Sequence, residues 1–177
     1  GIAKFDYTNG VFIRIDSIAG QRAGFIRVFT EDPDGNLYVG GSNGIFKFNT
    51  SLNTWSSITA VFKRPKELIA VRGLYFKDNK TLYVTTEKRG FYELDLIYLN
   101  CKMIIYEDQE ACYWDVLMYD MEPFGKEELL ISFLSLGVRS YNMRTGAIRS
   151  IPGPFYDSKA VHWNTVPKIY RDKQDRI

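Results

Sequence analysis

Apolar residues in this chain come in short runs broken by Gly, Asn and Asp, and nowhere do they hold the three-to-four-residue spacing of a helix. The clearest run is Leu37-Tyr38-Val39-Gly40-Gly41-Ser42-Asn43-Gly44-Ile45-Phe46-Lys47-Phe48-Asn49. Its first half is apolar on both alternations, which predicts a strand covered on both faces. Asp34-Gly35 before it is a hairpin signal, and Ser42-Asn43-Gly44 turns the chain into the next strand. The run recurs as Leu82-Tyr83-Val84-Thr85-Thr86 followed by Gly90-Phe91-Tyr92-Glu93-Leu94-Asp95, and again as Leu129-Leu130-Ile131-Ser132 followed by Gly137-Val138-Arg139-Ser140-Tyr141-Asn142. The equivalent leucines are 45 and then 47 residues apart, and Ile177 stands 48 residues further on. That period matches four-stranded propeller blades.

The predicted fold class is therefore all-β: a β-propeller of four-stranded antiparallel blades, here about three full blades plus two partial ones. The full blades occupy about 25–58, 70–106 and 113–151. Their first strands are expected at 26–31, 71–76 and 114–119, with a long first turn around 121–126 in the third. Gly1-Ile2-Ala3-Lys4-Phe5-Asp6 matches Gly44 to Asn49, so residues 1–15 read as the later strands of a partial blade. Residues 166–177 read as the opening of another. Chain 1–177 is expected to be a fragment of one propeller domain, since raw blade edges invite further pairing.

Composition narrows the function. With 45% hydrophobic and 15% aromatic residues the chain can bury a core, which excludes disorder. Its +2 formal charge comes from 23 basic and 21 acidic residues without blocks, which argues against nucleic acid and against a polybasic membrane patch. No apolar run approaches the roughly 18 to 20 residues that cross a bilayer. Direct membrane insertion is thus not expected of these residues, and any anchor or export signal is expected outside them.

Several motifs look like chemistry. Gly40-Gly41-Ser42-Asn43-Gly44 fits the G-x-S-x-G nucleophile pattern, but a strand follows where that elbow needs a helix. Asp32-x-Asp34-x-Asn36 opens like a calcium loop, yet the following Gly and the distal Glu are missing, so a hairpin turn is expected. Cys101 and Cys112 stand apart from any histidine cluster, and two thiols or one disulfide both fit their spacing. His162 is the single histidine. Neither a metal nor another cofactor is expected. The triplets at Asn49 and Asn79 match glycosylation acceptors but carry little information.

Glu31 to Asn49, with its acidic-Gly-Asn turn, its Leu-Tyr-Val-Gly-Gly strand, a Gly and an aromatic-Asn ending, resembles the two-component regulator propeller repeat. Tyr38 and Tyr83 stand where that repeat has Trp, and the third copy lacks the Gly-Asn turn. The resemblance implies a non-enzymatic, periplasmic sensor region of a Bacteroides-type hybrid histidine kinase, responding to glycan fragments. It implies as partners an oligosaccharide, further blades of the same protein and a second copy of the chain. A propeller lyase or hydrolase and a purely structural spacer are the alternatives.

In propellers the loops entering the innermost strands converge at one face. Counting back from the repeat leucines places Arg27, Arg72, Asp115 and Pro167 there as counterparts, with Phe25, Trp114 and Trp163 nearby. Aromatics stack on sugar rings, and Arg or Asp hydrogen-bonds hydroxyls. Arg27, Arg72, Trp114, Asp115, His162 and Trp163 are accordingly the candidate rim. Packing of the two tryptophans between blades, with merely solvated charges, is the competing role.

Overall fold

The computed structural model describes residues 1–22, 24–62, 70–87, 90–105, 117–134, 136–152, 165–174 and 176–177. A hairpin of β1 (Ile2–Asp6) and β2 (Val11–Ile15) comes first, followed by a short one, β3 (Ser17–Ile18) and β4 (Gln21–Arg22). Three four-stranded antiparallel sheets follow, each a meander in chain order. The first holds β5 (Ile26–Glu31), β6 (Leu37–Gly41), β7 (Gly44–Asn49) and β8 (Thr54–Ser57). The second holds β9 (Val71–Phe76), β10 (Thr81–Thr86), β11 (Phe91–Asp95) and β12 (Asn100–Ile105). The third holds β13 (Met118–Phe124), β14 (Glu128–Phe133), β15 (Val138–Asn142) and β16 (Ile148–Ile151). The blade pattern expected from the repeat is thus present, with the small β3–β4 hairpin as an addition.

The blades pack face to face, and strand alternation decides which side chain meets which neighbour. On β10, Leu82 and Val84 join Tyr38 and Ile45 of the first sheet in one buried cluster. Tyr83, between them, joins Met118, Leu129, Ile131 and Tyr141 of the third sheet in another. A second strand is therefore buried on both alternations. A 3-10 turn, Thr59–Phe62, drops Val61 and Phe62 into the first cluster, the Phe62 ring lying edge-on to Tyr92 at 5.3 Å.

The outer turns repeat one device four times. Asp6, Asn49, Asp95 and Asn142 each accept backbone N–H bonds from two or three residues ahead, and the fourth residue of each turn has a positive φ. Those fourth residues are Gly10, Asn53, Leu99 and Gly146. Three suit the left-handed region; Leu99, at φ 49°, does not. Leu99→Asn is expected to raise stability by about 0.5–1 kcal/mol, read as a higher unfolding midpoint.

The third blade departs from the expected strand positions. Its first strand is β13 (Met118–Phe124), later than 114–119, and its turn is the tight Gly125-Lys126-Glu127. Pro123 sits inside this strand opposite Leu129. A first strand has an unpaired edge, so a proline that donates no hydrogen bond is tolerated there. Residues after 165 dock against this blade: Val166 donates to the Phe133 carbonyl at 3.2 Å, and Ile169 donates to Asp120 Oδ2 at 2.9 Å. Asp172 then receives the N–H groups of Gln174 and Arg176, as Asp32 receives those of Asp34 and Asn36. The next blade's opening turn is therefore formed, although none of its described residues is in a strand.

Candidate functional site

The first strands are not regular. In β5 the pairing steps from Ile26 to Val28, in β9 from Val71 to Gly73, and in β13 from Met118 to Asp120. One residue is left over each time: Arg27, Arg72 and Tyr119. A bulge of this kind re-aims a side chain out of the ladder. The residue just after each second strand faces the same entrance, because Ser42, Glu87 and Leu134 donate to the carbonyls of Phe25, Ala70 and Leu117.

Glu87 gathers two of the bulged residues. Its Oε2 lies 3.3 Å from Arg27 Nη2 and its Oε1 3.0 Å from Arg72 Nη2, so one carboxylate bridges two blades. All three side chains are only 21–30% exposed. Arg72 also stands over the Tyr119 ring, its guanidinium carbon 5.2 Å from the centroid, which extends the cluster to the third blade. Arg72 Nε is buried and lacks a hydrogen-bond partner among the described residues. One residue on, Asp120 binds Lys168 Nζ at 2.9 Å and so ties in the following segment.

Of the predicted rim, Arg27 and Arg72 are brought together as counterparts. Trp114, Asp115, His162 and Trp163 lie outside the described residues. The counterpart of Arg27 and Arg72 in the third blade is Tyr119, since the bulge and not the turn length sets that position. Glu87 was missed because only the strand entrances were ranked. Its signal was its place directly after Thr85-Thr86, where the second strand leaves at the same end.

The motif-bearing turns have structural roles. Ser42 Oγ accepts the Phe25 N–H at 3.0 Å and donates to Asn43 Oδ1 at 3.2 Å, fastening the blade's entrance. Asp32 accepts both the backbone and side-chain N–H groups of Asn36 and pairs with Lys47 at 3.4 Å. Burial raises the Asp32 pKa, but Asn36 and Lys47 outweigh it and hold the carboxyl below its usual range. That carboxylate is engaged by its own turn. Cys101 lies half-buried in β12 opposite Leu94, and Cys112 is outside the described residues.

No family model matches this chain, and no curated protein does. Solved structures do match in fold. One is the extracellular domain of the hybrid two component system BT3049 from B. thetaiotaomicron, with a TM-score of 0.69 and 17% identity over 99% of this chain and 24% of that one. Another is the extracellular domain of BT4673 from the same organism, with a TM-score of 0.65 and 18% identity over 91% of this chain and 20% of that one. U3-55K also matches, with a TM-score of 0.60 and 15% identity over 83% of this chain and 44% of that one. The chain spans about a quarter of the length of the first of these. In fold, it is a run of β-propeller blades like those in the extracellular domains of Bacteroides two-component systems.

Proposed function

We propose that these blades form part of an extracytoplasmic, non-enzymatic sensor module, whose blade entrances meet an oligosaccharide and whose state passes to a kinase elsewhere in the protein. The observation that carries this reading is the cluster of Arg27, Glu87, Arg72 and Tyr119, which draws three successive blades together at one end. The similarity to extracellular sensor domains supports the compartment and the class. Trp114, Asp115, His162 and Trp163 remain proposed contacts on the same rim. Further blades and a second copy of the chain are the proposed protein partners.

A cluster that couples blades can convert binding into a change of arrangement. Ligand shifts the signalling equilibrium only by as much as it favours one arrangement over the other. The Glu87 carboxylate is shared between two guanidiniums, which suits recognition better than the free base that a lyase or hydrolase needs. Calorimetry of the intact protein against a broad oligosaccharide panel tests the reading. Binding that weakens about ten-fold or more in Arg72→Ala is expected. No binding across the panel, with signalling unchanged by Arg72→Ala, would leave the spacer role in its place.

A further inference from the structure

Among the described residues, charge at this cluster is unbalanced. Two guanidiniums meet one carboxylate, so these three side chains carry a net charge of +1 (two minus one). Arginine offers five N–H donors in a rigid fork. Each of these two directs one terminal nitrogen at Glu87, and among the described residues the buried Nε of Arg72 has no acceptor. The side chains of Arg27 and Arg72 keep 30% and 21% of their surface exposed, so guanidinium donors that Glu87 does not occupy are open to a further acceptor. Arg72 is also held in place before any ligand arrives, between the Glu87 carboxylate and the Tyr119 ring. Such preorganisation lowers the ordering cost of binding.

We propose that the Arg27, Arg72, Glu87 and Tyr119 cluster receives an oxyanion carried on a sugar, a uronate carboxylate or a sulfate ester. The inference rests on the oligosaccharide-sensing reading above and names its ligand class. Glu87 acts as an internal anion that holds the two guanidiniums next to one carboxylate and partly occupies them. A neutral sugar offers hydroxyls but leaves the surplus charge unmatched. A carboxylate or sulfate meets the guanidinium with charge-assisted and bidentate bonds.

The role assigned to Glu87 makes a test by sign available. If the cluster is only a clamp between blades, Glu87→Gln weakens the clamp and improves no binding. If it is an oxyanion site, Glu87→Gln removes the competing anion and tightens anionic ligands. Calorimetry on the intact protein would compare a digalacturonate with its neutral galactose counterpart, and a sulfated disaccharide with its unsulfated one. We expect at least one anionic probe to bind about ten-fold or more tightly than its counterpart, and more weakly as salt rises. Glu87→Gln should tighten that probe several-fold, and Arg72→Gln should abolish its advantage. Preference for the uronate or for the sulfate identifies the source of the oxyanion, and either supports the proposal. Equal binding of charged and neutral probes, or an affinity unmoved or lowered by Glu87→Gln, overturns the oxyanion site while leaving glycan sensing standing. Absence of binding by all four probes and by the broad panel overturns both.

Discussion

Phe91→Ala should lower the unfolding free energy by about 3–5 kcal/mol, the range for removing a fully buried phenylalanine. Phe91 is 0% exposed and belongs to the cluster between the second and third sheets. Its ring meets Tyr141 edge-on at 5.1 Å and lies 5.5 Å from Tyr83. Truncation removes apolar area, leaves a cavity, and takes an edge-on partner from Tyr141. The cavity resists collapse because its walls come from two sheets, each held by its own hydrogen-bond ladder. Chemical denaturation of the intact protein provides the measurement. Phe91→Leu should cost less than about 1.5 kcal/mol, and Phe29→Ala, at a side chain 53% exposed, should stay within about 0.5 kcal/mol. A loss below about 1 kcal/mol for Phe91→Ala would mean that the two blades do not pack as described.

Gly41→Ala is expected to cost about 3 kcal/mol, at the upper end for overpacking. A Cβ there would stand 2.1 Å from the Phe25 carbonyl oxygen and 3.0 Å from the Ile26 Cα. Both obstacles are backbone, and neither can rotate aside as a side-chain tip could. The Phe25 carbonyl is pinned by the Ser42 N–H at 2.9 Å, and the Phe25 N–H by Ser42 Oγ at 3.0 Å. Relief must come from shifting the entrance of β5, which carries Arg27 two residues after Phe25. Gly41→Ala should therefore also loosen the Arg27 to Glu87 pair and weaken ligand binding. Gly146→Ala is the contrasting variant: nothing lies within 4 Å of its Cβ, and only its positive φ opposes the change, at roughly 1 kcal/mol. Thermal unfolding of both variants would show the difference, and equal midpoints would contradict the close approach at Gly41.

Much of the blade was legible in the chain because its causes are local. Tyr83 and Val84 read as a two-sided strand, and they do enter opposite clusters. Asp34-Gly35 read as a hairpin, and Gly35 does adopt a positive φ of 81°. Ser42 was separated from a nucleophile by strand context and Asp32 from a calcium loop by the missing Gly and Glu, and both side chains do fasten turns. The first strand of the third blade was misplaced because an extra-long turn and an extra-long strand leave the same spacing between repeat leucines. Nothing local in Met118 to Phe124 distinguishes them, and the presence of Pro123 argues for the turn.

The candidate site was legible only in part. Arg27 and Arg72 emerged from repeat register, but Tyr119 and Glu87 did not. Each owes its place to a contact across blades: Glu87 reaches back to Arg27, and Tyr119 lies beneath Arg72. By itself, the sequence determined the period, the strand faces and the turns, since alternation and turn chemistry act over a few neighbouring residues. Only the tertiary structure decided which residues meet at the blade entrances. One bulge per first strand shifts the register there, and the side chains so released find partners through space, at sequence separations that no local pattern encodes.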